Sequence, residues 1–318
     1  MISNKKILPR TQAADPTMAD DANQPEPPII SLKDVVKSFD GKRVIDGLTL
    51  DIHRGETMVV MGGSGSGKST TLRLMIGSIP ADSGSIQILG TNICGACEDD
   101  LNKMRLKIGV LFQSGALFNS MTLAENVALP LIEHTDIDRE IIDIQVKIKL
   151  ELVGLREHAD KYPAEISGGM KKRAGLARAL ALDPQVLFYD EPSAGLDPVT
   201  SAEIDRLIID LSKKLGVTSI VITHEMDSAF AIADRMAMLD KGEMLIVEER
   251  AWFERVRDTT PAEAAGLSDT ERLIRQFLRG DAEGPITDRK TATNYAEDLL
   301  GMPMRRVTTP SVMSTRDL

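Results

Sequence analysis

The sequence predicts an α/β fold in which a mostly parallel sheet is preceded by an antiparallel β piece and interrupted by an inserted helical stretch. Four observations carry that expectation. Strand-like runs recur at 29–39, 44–52, 58–61, 86–89, 108–112, 186–189, 219–223, 236–239 and 244–247. The later runs alternate with helix-like stretches, notably 139–153, 169–182 and 201–215, as a parallel sheet with crossover helices requires. The first runs are joined by short turns such as Asp40-Gly41, a hairpin signal. Finally, Gly62-Gly63-Ser64-Gly65-Ser66-Gly67-Lys68-Ser69 stands between the apolar run Met58-Val59-Val60-Met61 and a helix-like stretch opened by Thr70. This is G-x-x-x-x-G-K-[ST] in the strand–loop–helix setting that a phosphate-binding loop needs.

Taken in chain order, residues 1–28 are polar, end in Pro25-Glu26-Pro27-Pro28, and read as a disordered leader. Residues 29–249 read as the globular unit, with a helical subdomain at about 114–166. After Glu249, 251–257 and 269–279 read as short amphipathic helices, and 250–318 as a helical extension and tail. Tyr295-Ala296-Glu297-Asp298-Leu299-Leu300 is either a docking cluster or part of a loosely attached tail.

Composition sets limits on function. Of 318 residues, 42% are hydrophobic and 27% charged, enough for a packed core. A net charge of −10 with no long basic block argues against a nucleic-acid partner. The two cysteines, Cys94 and Cys97, suggest a reducing compartment. No further thiol and no nearby histidine completes a metal site, so the C-x-x-C reads as an ordinary loop. No run of 18 apolar residues can span a bilayer, and no apolar segment follows Lys5 and Lys6 to make a secretory signal. A role at a membrane would then be played from the cytoplasmic side, with other subunits.

The loop chemistry is direct. Glycines let successive N–H groups turn inward toward phosphate oxygens, and the following helix adds the positive end of its dipole. Lys68 is suited to neutralise the β- and γ-phosphates, and the Ser69 hydroxyl to ligate Mg²⁺. Val186-Leu187-Phe188-Tyr189 is an apolar strand that delivers Asp190 and Glu191. Asp190 beside the phosphate loop can hold Mg²⁺ through water, and Glu191 can orient or deprotonate the attacking water. Ser167-Gly168-Gly169 opens a helix with a capping serine and bare first-turn N–H groups, a second anion site on the same chain. His53, His134 and His158 have no usable spacing, and Lys171, Lys172, Arg173 and Arg178 read as a solvated helix face.

Together with Gln113 and His224, these motifs resemble the ATP-binding cassette (ABC) ATPase family in its motif order, over about 29–248. The resemblance implies a P-loop fold, ATP and Mg²⁺ as ligands, and particular roles. Phe39 would stack on adenine. Gly62, Gly63, Ser64, Gly65, Ser66, Gly67, Lys68, Ser69 and Thr70 would hold the triphosphate. Gln113 would touch Mg²⁺ and sense the transport subunit, Ser167, Gly168 and Gly169 would form the signature, Asp197 would be the D-loop aspartate, and His224 would contact the γ-phosphate. It also implies a homodimer closing head to tail around two ATP molecules, the phosphate loop of one copy facing the signature of the other.

The usual signature is Leu-Ser-Gly-Gly-Gln, whereas this chain has Ile166 and Met170 at the outer positions. Ile166-Ser167-Gly168-Gly169-Met170, Phe112-Gln113-Ser114-Gly115-Ala116-Leu117-Phe118 and Asn126-Val127-Ala128-Leu129-Pro130 look like the ATPases of Mla- and Mce-type lipid transporters. That likeness implies an integral permease, a Mce-domain lipid-binding protein and a place on the cytoplasmic face of the inner membrane. Two alternatives stand beside it. One is a polar-solute importer, against which the Met170 signature speaks. The other is a non-transport ABC ATPase, against which speak the single cassette and the short spacing from phosphate loop to signature.

Overall fold

The computed structural model describes residues 26–287; most of the expected leader, the end of the tail and the cluster at 295–300 lie outside them. The strands are β1 (Ile30–Phe39), β2 (Lys42–Ile52), β3 (Thr57–Met61), β4 (Ser83–Ile88), β5 (Thr91–Asn92), β6 (Ile108–Leu111), β7 (Val186–Asp190), β8 (Thr218–Ile222), β9 (Arg235–Asp240) and β10 (Glu243–Glu249). The α-helices are α1 (Lys68–Met75), α2 (Glu98–Arg105), α3 (Leu123–His134), α4 (Arg139–Leu152), α5 (Gly168–Ala179), α6 (Pro198–Leu215), α7 (Met226–Ile232), α8 (Arg250–Asp258) and α9 (Asp269–Arg279).

The expected α/β architecture is present as two sheets. Strands β2-β1-β4-β5 form an antiparallel sheet, and β10-β9-β3-β8-β7-β6 a second sheet that is parallel except at β10. The first hairpin turns at Asp40 (φ 49°) and Gly41 (φ 77°), the left-handed pair that matches strand twist. The sheets meet where Asp46 N–H donates to Gly242 O at 2.9 Å.

Strand β3 shows how the core is divided. All five of its residues are buried, as in a parallel strand covered on both faces. Met58 and Val60 enter a cluster shared with the antiparallel sheet and with Leu72, Leu74 and Met75 of α1. Val59 and Met61 point the other way, into a cluster shared with helices α3 to α9. Phe253 of α8 and Leu273, Ile274 and Leu278 of α9 join that same cluster, so both C-terminal helices pack on the body. Reciprocal bonds between Ser268 and Glu271 cap α9.

The C-x-x-C segment is a loop, as the sequence suggests, and leads into α2. Cys97 stands at the N-cap of α2, and its Sγ donates to Asp100 Oδ2 at 3.3 Å. Between β6 and α3 the chain is pinned by Asn126, which is fully buried. Its Oδ1 accepts from Phe118 N–H at 2.8 Å, and its Nδ2 donates to the carbonyls of Phe118, Met121 and Thr122 at 3.1, 3.2 and 2.9 Å. Asn126→Ala is expected to cost about 2–3 kcal/mol, because it strands backbone groups that water cannot reach. Equilibrium unfolding in urea measures this, and an unchanged midpoint would contradict the assignment.

Candidate functional site

Register gathers the site. Val60 of β3 and Asp190 of β7 both align with Ile222 of β8, so three strands end at one level. The segments that follow them, beginning at Gly62, Glu191 and Thr223, emerge side by side at the carboxyl edge of the sheet, where parallel α/β folds hold their ligands.

The loop after β3 curls over the start of α1. Gly67 has φ 110°, a conformation that other residues rarely adopt, and a Cβ there would also press on Ile45 Cδ1 at 2.7 Å and Val44 O at 3.1 Å. Helix α1 has no side-chain cap and no acidic residue in its first turn. Its opening N–H groups therefore have no acceptor within the helix and none from a capping side chain. Ser66 Oγ is buried without a partner. Lys68 Nζ donates to the loop's own carbonyls, Gly62 O at 2.8 Å and Gly63 O at 3.0 Å. Burial pulls the Lys68 ammonium below its ordinary pKa, opposed by the charges of Glu191 and Asp190.

Across from the lysine lie the carboxylates. Burial first, then the adjacent Glu191, push Asp190 above the usual carboxylate range, while Arg73 and Lys68 pull it down. Glu191 has φ 50°, a left-handed conformation rare outside glycine, and this turns its side chain toward the segment after β8. There Glu191 Oε1 lies 2.8 Å from His224 Nδ1, and Oε2 accepts from His224 N–H at 3.3 Å. Lys68, Asp190, Glu191 and His224, read as one constellation in the sequence, are thus assembled, with Ser69 and Thr70 in the first turn of α1.

A second group forms apart from these. Ser167 caps α5, its Oγ accepting from Met170 N–H at 3.3 Å, and stays exposed. Asp197 caps α6, accepting from Val199 and Thr200 N–H at 3.1 Å each, and these bonds and that from Thr200 Oγ1 hold its carboxyl low. The two caps adjoin: a Cβ on Gly169 would lie 2.5 Å from Thr200 Cγ2. Gly169 is buried where α5 meets α6, whereas Gly168 is exposed at the open end. Among the described residues no hydrogen bond or ion pair joins Ser167 to the phosphate loop. Phe39, at the end of β1, is 43% exposed with Lys37 Nζ 5.4 Å from its ring centre, and Gln113 is exposed beyond β6.

The basic run after the signature is not the solvated face that its charges suggested. Lys172 is 5% exposed and donates to Glu191 O at 3.1 Å and Ala194 O at 2.7 Å. Arg178 donates to Ala116 O at 2.7 Å and Gly115 O at 3.3 Å, tying the segment after Gln113 to α5. Arg173 pairs with Glu203, and Lys171 is half-buried. The sequence did hold a signal. Lys172 lies three residues after Gly169 and four before Leu176, on the buried row of α5.

A glycine-rich loop with its lysine, facing two carboxylates at the end of a parallel sheet, defines a phosphate-loop nucleoside triphosphatase. The family described as ABC transporter matches residues 45–194. Over 272 residues the chain is 39% identical to the intermembrane phospholipid transport system ATP-binding protein MlaF of Escherichia coli K12, covering 86% of this chain and 96% of that one. It is 42% identical over 281 residues to the probable ribonucleotide transport ATP-binding protein mkl of Mycobacterium leprae, covering 87% and 77%. The chain belongs to the ATP-binding subunits of ABC transporters and is an ATPase. The ATP-binding cassette MJ0796, solved as a dimer in a post-hydrolysis state with ADP and Pi, is similar with a TM-score of 0.65 and 31% identity, over 70% of this chain and 98% of that one.

Proposed function

We propose that this chain is the ATPase of an envelope lipid transporter, acting on the cytoplasmic face of the inner membrane. Two copies pair head to tail and drive a separate permease that moves phospholipids or other hydrophobic molecules with a Mce-domain partner. The observation that carries the cargo reading is the 39% identity to a phospholipid-transport subunit along 96% of its length. The Ile166-to-Met170 signature agrees with it. Among the described residues no helix is long and apolar enough to cross a membrane, and in this reading the passage lies in the permease. Residues 29–249 are the cassette, with the helical stretch 114–166 reaching toward the permease, and 250–318 are an extension.

The site residues then divide the work. Phe39 supplies a face for adenine, and the 62–70 segment wraps the triphosphate with N–H groups. Lys68 exchanges the Gly62 and Gly63 carbonyls for phosphate oxygens. Glu191 takes the proton of the attacking water, held in place by His224, which would also contact the terminal phosphate. Ser167, Gly168 and Gly169 of the other copy close the pocket, with Asp197 at the seam. Ser69, Gln113 and Asp190 form an oxygen-only donor set that suits Mg²⁺. When bound, that ion supplies charge neutralisation along the phosphates.

The ribonucleotide name of the mycobacterial relative keeps a polar cargo as the second reading. Purifying the intact complex with its permease and identifying co-purifying small molecules by mass spectrometry separates the two. The proposal expects phospholipid retained by the complex and ATPase activity stimulated by phospholipid. Retained ribonucleotide cargo, with stimulation by ribonucleosides and none by lipid, would contradict it.

A further inference from the structure

We propose that Lys172 is a positioning residue that couples the Ser167 end of α5 to Glu191 of the same chain. The inference rests on the head-to-tail reading above, in which Ser167 serves the partner's ATP and Glu191 serves its own.

The geometry is unusual for a lysine on a helix that opens at the surface. Lys172 Nζ is directed inward and bridges two carbonyls of one turn, Glu191 O at 3.1 Å and Ala194 O at 2.7 Å. Glu191 is the residue whose left-handed backbone sets the direction of its carboxylate. Its backbone is held from both sides. Glu191 N–H donates to Ile222 O at 2.8 Å, and its carbonyl accepts from Lys172 and from Ala194 N–H at 3.3 Å. Facing the ammonium are the charges of Glu225 and Glu191, and burial is the larger influence, lowering its pKa. An ammonium has three donors and no acceptor, so nothing but oxygen can face it here.

Helix α5 gives this bridge its reach. Ser167 is the N-cap and Lys172 the fifth residue of the helix, about 7.5 Å further along the axis. The helix is packed closely against its neighbours on both sides of Lys172. Gly169 abuts Thr200, and a Cβ on Gly175 would lie 2.8 Å from Gly115 O. A ligand that engages Ser167 and draws on the start of α5 therefore acts on the turn from Glu191 to Ala194 through Lys172. That turn leads directly into Asp197, the cap of α6 that adjoins Gly169. Occupancy at one ATP site would in this way set the Glu191 carboxylate of the other, and by linkage the reverse.

The test is steady-state ATPase kinetics on the full-length protein carrying Lys172→Met, which keeps the apolar stem and removes the donors. The expected result is kcat lowered by about 30-fold or more, KM for ATP changed less than about threefold, and a Hill coefficient reduced toward one. Lys172→Gln, which restores a donor, should recover part of kcat and of the cooperativity; it also serves if the Met variant does not fold. Wild-type kcat and cooperativity in a variant that still forms the ATP-bound dimer would overturn the role of Lys172 and leave the head-to-tail reading standing. A kcat lowered equally in the Met and Gln variants, with KM raised in proportion, would mark general damage and also overturn it. Wild-type protein that stays monomeric and non-cooperative at saturating ATP would remove both readings at once.

Discussion

Glu191→Gln is expected to bind ATP normally and to hydrolyse it about 10²-fold or more slowly, the contribution of a positioned general base. The substitution is nearly isosteric. The amide can still meet His224 Nδ1, now at 2.8 Å from Glu191 Oε1, and the left-handed backbone at φ 50° is untouched. What is lost is the ability to take a proton from water. If hydrolysis weakens the paired state, as the proposed head-to-tail dimer requires, the variant should also accumulate as an ATP-bound dimer. Single-turnover hydrolysis, a fluorescent-nucleotide binding titration and size-exclusion chromatography with light scattering read these three outcomes separately. A variant with wild-type turnover would remove Glu191 from the chemistry.

Lys68→Ala should act at the earlier step. The ammonium now donates to Gly62 and Gly63 carbonyls, and in the liganded state it would donate to phosphate. Two charge-assisted bonds are worth roughly 3 kcal/mol or more, which corresponds to about 10²-fold or more in ATP affinity. Truncation also leaves Asp190 and Glu191 facing one another with less positive charge between them, so the phosphates meet an uncompensated negative edge. The variant should therefore fail to bind ATP at concentrations that saturate the wild type and should show no ATP-driven dimer. Glu191→Gln and Lys68→Ala are thus expected to look alike in an ATPase assay and opposite in a binding assay. Isothermal titration of ATP into each variant makes the distinction, and tight binding by Lys68→Ala would contradict the assignment.

Much of the fold was legible in the sequence because local and global signals agree along β3, the phosphate loop and α1. An apolar run of strand length, a glycine loop and a helix follow one another without ambiguity. The run 186–189 with its two following acids was legible for the same reason, and so was the Asp40-Gly41 hairpin, whose two positive φ angles belong to that residue pair. β5 was not anticipated, since two residues carry no periodicity. The partnership of Glu191 with His224 comes from the parallel register that aligns Asp190 with Ile222, a long-range fact that composition does not encode.

The misreadings concern side chains whose type and setting disagree. Lys172, Arg173 and Arg178 read as solvent-facing because charges usually are, yet Lys172 lies on the buried row of α5 and finds carbonyls there. Helices α8 and α9 stand where the sequence set two short amphipathic helices, but what their apolar faces cover was not legible: Phe253 and Ile274 are fully buried in the main cluster. In each case the deciding contact comes from an element remote in sequence, which a local pattern cannot show.

In the proposed dimer the ATP pocket is built from two chains, since among the described residues no hydrogen bond or ion pair joins Ser167 to Lys68 within one. Solving the Glu191→Gln protein with ATP bound tests this most directly. The expected result is a triphosphate with Lys68 of one copy on its terminal phosphates and Ser167 of the other copy against the γ-phosphate. A structure of the ATP-saturated protein in which every contact to the triphosphate comes from a single copy, with both Ser167 hydroxyls facing solvent, would contradict it.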